Sequence, residues 1–157
     1  MRKAFDYALI IIHGTPGEDG KLQGYLDMMG VPYSSCSMTS SVITFDKITA
    51  KRTLAGRVNL AREVFLRRGE AFDPAQIVAE LGMPLFVKPN ANGSSIGVTI
   101  AHTRGEVAAA LTECLHFGAQ VVIEQYIHGR ELQVGILDGK ALPAIEIIPK
   151  TGFYDYA

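Results

Sequence analysis

The sequence predicts an α/β (α+β) chain in which a small parallel α/β unit precedes an antiparallel sheet backed by helices. Residues 7–12 form a near-continuous apolar stretch, which is typical of a strand buried on both faces of a parallel sheet. Residues 85–148 then alternate short apolar stretches with one helix and a strong turn signal. The chain of 157 residues is 48% hydrophobic and 20% charged, which is enough to bury a core.

Composition excludes several classes of function. Fifteen basic and sixteen acidic residues leave a net charge of −1 without a clustered basic face, so we expect no nucleic-acid partner. No apolar run is long enough to span a bilayer, and we expect no membrane association. Cys36 and Cys114 lie far apart and fit no metal or redox motif. Reduced thiols in a cytoplasmic protein are the simplest interpretation.

The predicted first strand, residues 7–12, runs into a turn-rich loop of eight residues. This is the carboxyl end of a strand, where open α/β sheets place their ligands. The loop contains His13 and Glu18, which either act on a substrate or serve as an ordinary loop histidine and an acid before a helix. The apolar periodicity then predicts a helix over residues 21–29.

Three further helices are predicted. Residues 44–54 form the first, with Lys47 near its start, where a cation opposes the helix dipole and indicates an anion nearby. Asp73-Pro74 begins the second, over residues 75–81. Thr103-Arg104-Gly105-Glu106 is a capping box that opens the third, whose buried stripe includes Cys114.

Residues 85–100 read as a strand, a loop of small residues and a second strand. Lys88 lies at the end of the first strand, and Pro89 then interrupts the hydrogen-bonding ladder. Loop amides beside a fixed ammonium group suit a polyphosphate, although neither a Walker A nor a dinucleotide motif is present. A plain hairpin with a mobile turn is the alternative. The small loop residues are Asn90, Asn92, Gly93, Ser94, Ser95 and Gly97.

Two acids lie near the end of the next predicted strand, residues 120–126: Glu124 within it and Glu131 after it. The backbone of residues 125–127 can read an adenine edge, with Glu124 accepting from the exocyclic amine and Glu131 accepting from ribose hydroxyls. Alternatively, both acids are solvated strand ends. Asp138-Gly139 then predicts a hairpin turn.

Segments in the same order along nearly the whole chain resemble those of D-alanine–D-alanine ligases. The combination is specific, although Lys-Pro with Gly-Ser-Ser alone would not be. The segments are His13-Gly14-Thr15-Pro16-Gly17-Glu18-Asp19-Gly20 with Gln23-Gly24, Pro32-Tyr33-Ser34, Asp46-Lys47, Val87-Lys88-Pro89 with Gly93-Ser94-Ser95-Ile96-Gly97-Val98, Ile123-Glu124 through Gly129-Arg130-Glu131, and Glu146 through Tyr156.

The resemblance implies an ATP-grasp enzyme of peptidoglycan precursor synthesis. ATP phosphorylates the carboxylate of one D-alanine, and the amine of a second D-alanine attacks the acylphosphate. Mg²⁺ is the implied metal. The resemblance leaves open whether the protein forms a homodimer. The implied domains are residues 1–46 as a partial substrate-binding domain, 47–130 as the central ATP-grasp subdomain and 131–157 as the start of the C-terminal subdomain.

The resemblance also implies roles for individual residues. Lys47 and Lys88 would contact the phosphates while the loop at Ser94 and Ser95 closes over them. Ser94 would help to orient the first D-alanine, with His13 nearby. The residues that would hold adenosine are Glu124, Tyr126, Ile127 and Glu131.

The chain departs from the family pattern at both ends. The family's first strand and its D-alanine-binding glutamate are missing, and its magnesium ligands would lie beyond Ala157. We therefore expect a piece of a longer protein, truncated at the C-terminus and inactive alone. Two alternatives stay open: another ATP-grasp carboxylate–amine ligase, including a D-alanine–D-lactate type, and a non-catalytic nucleotide-binding module.

Overall fold

The computed structural model of the chain describes residues 5–93 and 95–149. Five helices and eight strands are assigned within these ranges. The helices are α1 (Lys21–Met29), α2 (Met38–Phe45), α3 (Lys47–Leu54), α4 (Pro74–Leu81) and α5 (Arg104–Phe117). The strands are β1 (Glu63–Arg67), β2 (Leu85–Pro89), β3 (Thr99–Ala101), β4 (Gln120–Gln125), β5 (Glu131–Gln133), β6 (Ile136–Leu137), β7 (Lys140–Ala141) and β8 (Ile145–Ile147).

The centre of the fold is an antiparallel sheet of four strands in the order β1-β4-β2-β3. Successive residues of a strand point to opposite faces, so each strand supplies one apolar face and one mixed face. The apolar face packs against α4 and α5, and its fully buried residues include Leu85, Val87, Val121 and Ile123. This arrangement confirms the predicted antiparallel sheet backed by helices.

Helix α5 confirms its predicted cap and its predicted buried stripe. Thr103 Oγ1 accepts from the Glu106 backbone N–H, as in a capping box, while the Glu106 carboxylate accepts from the N–H of His102, one residue before the cap. Cys114 is fully buried on the stripe, and burial raises the pKa of its thiol to about 11. Its sulfur lies 2.9 Å from the Gly97 carbonyl oxygen, which ties α5 to the loop after β2.

The predicted strand over residues 7–12 is wrong. The segment makes one isolated parallel bridge, between Ala8 and Tyr33, and most of its side chains are open to solvent: Leu9 is 72% and Ile11 87% exposed. A parallel strand is buried only when neighbouring strands and helices cover both faces. Among the described residues, the backbone of residues 7–12 makes hydrogen bonds only with the 32–34 segment. The predicted parallel unit therefore consists of this single bridge together with α1 and α2.

The helix predicted over residues 44–54 is in fact two helices that meet at Asp46. Asp46 has extended backbone angles and ends α2, while its carboxylate accepts from the Thr49 N–H and begins α3. The first helix begins at Ser37, whose hydroxyl accepts from the Ser40 N–H. Helix α2 therefore begins before the predicted start at residue 44, because serine favours helix caps as well as loops.

The predicted C-terminal hairpin is present, with Asp138 and Gly139 at its turn. Strands β6 and β7 flank that turn, and β5 pairs with β8 outside them. Many large apolar side chains of this hairpin are exposed, among them Leu137 and Ile145. No helix among the described residues combines the length and the apolar character needed to cross a membrane.

Candidate functional site

A cleft of about 410 Å³ opens where the loop after β2 meets the mixed face of the sheet. We call it the main cleft. Lys88 and Ser95 both line it, as the polyphosphate hypothesis required, whereas Ser94 lies outside the described residues. Its volume lies within the range of small-molecule pockets, about 300–1,000 Å³. The lining residues are Lys47, Phe86, Lys88, Asn92, Gly93, Ser95, Val98 and Glu131.

Strand alternation places Phe86 and Lys88 on the same face, next to each other in the main cleft. The Lys88 ammonium lies 5.4 Å from the centre of the Phe86 ring. Tyr126 stacks on that ring, with a centroid distance of 5.2 Å and an interplanar angle of 17°. The main cleft therefore has an aromatic wall next to a cation. Sequence reasoning missed Phe86, although the alternation from Leu85 to Lys88 points to it.

The loop after β2 owes its path to Gly97. This residue has a φ of +74°, a left-handed conformation that glycine adopts without strain. A Cβ atom there would lie 2.9 Å from the Pro89 ring and 2.7 Å from the Phe117 ring. Only glycine fits this turn, where the loop packs closely against Pro89 and Phe117.

Lys47 is fixed in the main cleft by its own helix and by Asn90. It is the first residue of α3, and its ammonium donates to the carbonyl oxygens of Asn90 at 3.1 Å and Asn92 at 2.7 Å. The buried Asn90 side chain accepts from the Ile48 N–H at 2.9 Å and donates to Asp46 at 2.6 Å. Asn90 thus joins the start of α3 to the end of β2.

The electrostatics of the main cleft favour an anion. Burial and the neighbouring Lys88 charge lower the pKa of Lys47, although Glu124 and Asp46 act in the opposite direction. Two cations that approach each other in this way repel, and an anion bound between them relieves the repulsion. The expectation, drawn from Lys47 at a helix start, that an anion binds nearby stays a prediction.

Glu124 sits behind the main cleft and is paired with two lysines. One carboxylate oxygen lies 2.7 Å from the Lys51 ammonium, and the other contacts the Lys88 ammonium. Burial alone would raise the pKa of Glu124, but the charges of Lys88 and Lys51 outweigh it and the pKa is lowered. The predicted contact with an adenine amine stays a prediction.

Sequence reasoning missed Lys51. It lies one helical turn beyond Lys47 on α3, only 9% exposed, and also pairs with Glu63 at 3.0 Å. Spacing of four residues places two positions on one side of a helix, and this was the available signal.

Of the remaining adenosine candidates, Glu131 lines the main cleft, whereas Tyr126 and Ile127 do not. Glu131 lines it directly from the start of β5. The Tyr126 N–H donates to the Pro84 carbonyl and the Gln125 N–H to the Arg62 carbonyl, so neither is available to a ligand. The Ile127 N–H has no hydrogen-bond partner among the residues that the structure describes, and its side chain is exposed.

A smaller side pocket of about 220 Å³ adjoins the main cleft. Lys47, Asn92 and Gly93 line both, and the side pocket adds Glu18, Thr44 and Phe45. Glu18 accepts from the Gly14 N–H at 2.6 Å and lies 3.4 Å from the His13 Nδ1 atom. His13 itself does not line either pocket. Glu18 therefore lies in a pocket that shares Lys47, Asn92 and Gly93 with the candidate phosphate site.

The two pockets together can hold an anion next to a small amine. Lys47, Lys88 and the loop amides suit phosphate oxygens, and Glu18 suits an ammonium group. No group of three or more His, Cys, Asp or Glu side chains in the described ranges is arranged to hold a metal ion. These residues alone thus do not fit Mg²⁺.

Sequence models of one family match most of the chain. The model described as the D-ala D-ala ligase C-terminus matches residues 57–157, and that described as the D-ala D-ala ligase N-terminus matches residues 1–36. The chain is 46% identical over 147 residues to the D-alanine–D-alanine ligase of Actinobacillus pleuropneumoniae serotype 5b, covering 93% of this chain and 48% of that protein. The ligase of Bacteroides fragilis strain YCH46 is 41% identical, with coverage of 97% and 48%.

Solved structures agree with these matches. The crystal structure of D-alanine–D-alanine ligase from Bacillus anthracis superposes with a TM-score of 0.88 at 40% identity, covering 98% of this chain and 51% of that one. The same enzyme complexed with ATP gives a TM-score of 0.84 at 37% identity, with coverage of 96% and 50%. The chain spans about half the length of these relatives. It belongs to the D-alanine–D-alanine ligase family.

Proposed function

We propose that this chain forms the nucleotide-binding part, and one wall of the amino-acid site, of an ATP-dependent ligase that joins two D-alanines for peptidoglycan precursors. One observation carries the proposal: the main cleft and the side pocket share Lys47, so a phosphate site and an ammonium site meet at one cation. Family membership and the ATP complex of the Bacillus anthracis relative support it.

At the phosphate end, Lys47 and Lys88 neutralise the oxygens of the transferring phosphoryl group. ATP supplies that group. Phosphoryl transfer depends on positioning and charge stabilisation more than on covalent chemistry by the protein. Lys47 suits this work because Asn90 and Asn92 hold its ammonium by their carbonyl oxygens before any ligand arrives. The Ser94–Ser95 loop closes over the phosphates in this proposal.

At the adenosine end, the base lies against the Phe86–Tyr126 stack and the ribose faces Glu131. Ile127 offers its backbone N–H to the base edge, and an ionised Glu131 accepts from ribose hydroxyls. Glu124 is proposed to accept from the exocyclic amine of adenine once phosphates draw Lys88 away from it. Both carboxylate oxygens of Glu124 are otherwise engaged by lysines.

At the amino-acid end, the side pocket takes the first D-alanine. Glu18 pairs with the ammonium group of this D-alanine. The D-alanine carboxylate then points toward Lys47 and the phosphates. His13 contacts Glu18 and fixes that carboxylate from behind. Ser94 is proposed to orient the same substrate. The carboxylate of the first D-alanine takes the γ-phosphoryl group of ATP, and ADP leaves. The amine of a second D-alanine then attacks the carbonyl of this acylphosphate, inorganic phosphate leaves, and the amine loses a proton to give the amide.

Calorimetry with ATP and with the two enantiomers of alanine tests the proposal. We expect ATP to bind, Lys88→Met to weaken that binding at least tenfold, and Lys140→Met, on exposed β7, to leave it unchanged. D-alanine should bind in the presence of ATP analogues, whereas L-alanine should not. Absence of ATP binding, or equal binding of both enantiomers, would overturn the assignment.

A phosphate-release assay with ATP, Mg²⁺ and D-alanine addresses turnover. Inactivity of the chain alone stays a prediction, as do its cytoplasmic location and a homodimer. In a version extended to the length of the relatives, D-lactate in place of the second D-alanine separates the two ligase types. Binding of ATP that no amino acid influences would favour the non-catalytic nucleotide-binding module.

A further inference from the structure

The mixed face of the sheet places two carboxylates directly opposite each other. Glu63 on β1 and Glu124 on β4 are paired in the antiparallel register. Like charges in such a cross-strand pair are destabilising unless a cation lies between them. Lys51 is that cation, with its ammonium 3.0 Å from Glu63 and 2.7 Å from Glu124.

The Lys51 ammonium has no donor left for a ligand. A lysine ammonium carries three N–H donors and no acceptor. Lys51 reaches the Ala61 carbonyl at 3.0 Å as well as Glu63 and Glu124, which uses all three. It does not line the main cleft, unlike Lys47 and Lys88. Lys51 therefore acts on a ligand only through another residue.

That other residue is Glu124, which connects Lys51 to Lys88. One oxygen of the carboxylate accepts from Lys51 and the other contacts the Lys88 ammonium, which lines the main cleft. The row Lys51, Glu124, Lys88 thus runs from the buried side of α3 to the candidate phosphate site.

We propose that Lys51 is a positioning residue for phosphate binding: it holds Glu124 in place and shares its charge, so that Glu124 aligns the Lys88 ammonium without sequestering it. This inference rests on the proposed nucleotide site. Without Lys51, Glu124 is repelled by Glu63 and has Lys88 as its remaining close cation. Lys88 is then drawn toward Glu124 and away from the phosphates.

The effect should depend on phosphate. We expect Lys51→Met to weaken ATP binding at least tenfold in calorimetry. Adenosine, titrated by NMR, has no phosphate for Lys88 to meet and keeps only the proposed amine contact with Glu124, so its affinity should fall several-fold less than that of ATP. Lys140→Met is the matched control, since it removes the same charge from exposed β7, and it should leave both affinities within twofold.

A second variant keeps the inference testable if Lys51→Met does not fold. Lys51→Met with Glu63→Gln removes the unpaired carboxylate and restores the local charge, and we expect its ATP affinity to stay at least fivefold below that of the unmodified chain. Thermal unfolding without ligand verifies that each variant is folded at the titration temperature.

The remaining outcomes contradict the inference in separate ways. ATP binding that is unchanged in a folded Lys51 variant would overturn it. Equal loss for ATP and adenosine would reduce Lys51 to a structural role, and equal loss in Lys140→Met would make the effect one of net charge. Full recovery of ATP affinity in the double variant would also show that the effect is one of net charge. If the unmodified chain does not bind ATP, the proposed function fails first, and the inference fails with it.

Discussion

Asn90 is the residue whose loss should most affect the link between α3 and β2. It is 3% exposed, and its side chain makes three hydrogen bonds: from the Ile48 N–H at 2.9 Å, to Asp46 at 2.6 Å and to Gln120 at 3.2 Å. Asn90→Ala leaves the buried Ile48 N–H without this acceptor, which costs about 1–3 kcal/mol, and removes a charge-assisted bond to Asp46 worth about 1.5–3 kcal/mol.

Because the two effects share one site, we expect a combined loss of about 3 kcal/mol rather than their full sum. With a urea dependence of about 1–3 kcal/mol per molar, the unfolding midpoint should fall by roughly 1–3 M. Equilibrium unfolding in urea measures this, with Asn59→Ala in an exposed loop as the control. ATP affinity should also fall, since Asn90 helps to fix Lys47.

A sharper variant is Asn90→Asp. It keeps the acceptor for the Ile48 N–H but loses the donor and sets a carboxylate against Asp46. Asp46 relies on the Thr49 and Asn90 hydrogen bonds to overcome burial, and its pKa is lowered in consequence. The aspartate variant should therefore be destabilised at neutral pH and recover partly in acid. Midpoints of both Asn90 variants that match the unmodified chain would refute the reasoning.

Three other predictions concern the rims of the site and the hairpin. Glu131→Ala should weaken ATP binding by about 1–3 kcal/mol in calorimetry through lost charge-assisted hydrogen bonds, whereas the exposed helical control Glu113→Ala should not; an unchanged affinity would remove Glu131 from the site. Because the pKa of Glu124 is held below its ordinary value of 4.5, its stabilising contribution is present above that pH and is lost as pH falls through the folded-state pKa. Glu124→Gln should therefore lower stability at pH 7 and flatten the acid limb of the stability curve, and a limb that keeps its slope contradicts this. Exposed apolar side chains on the hairpin, such as Ile136 and Leu137, should make the chain self-associate, and charged substitutions there should reduce association in sedimentation velocity; a chain that stays monomeric at all concentrations would speak against it.

The antiparallel sheet could be predicted because its signals are local. Alternation from Leu85 to Lys88, the capping box at Thr103 and the turn at Asp138 each specify one element without knowledge of the rest. The strand predicted over residues 7–12 was wrong for the opposite reason. Its burial depends on partners elsewhere in a parallel sheet, and an apolar run alone does not report whether they are present.

The site was predicted in part. Lys47, Lys88, Ser95 and Glu131 do line one cleft. The buried partner Lys51 was not found, because the pairing of β1 with β4 that sets Glu63 opposite Glu124 is a long-range contact. The domain boundaries after residues 46 and 130 stay predictions.

The most direct test of the nucleotide site is an NMR titration of the ¹⁵N-labelled chain with ATP. The chain has another cavity, of about 320 Å³, lined by Gly56, Arg57, Val58 and Asn59, where a basic side chain offers a competing phosphate site. We predict that the largest amide shifts fall on Lys88, Gly93 and the other residues of the main cleft and saturate together. Shifts confined to residues 56–59, with the main cleft unchanged, would contradict the account.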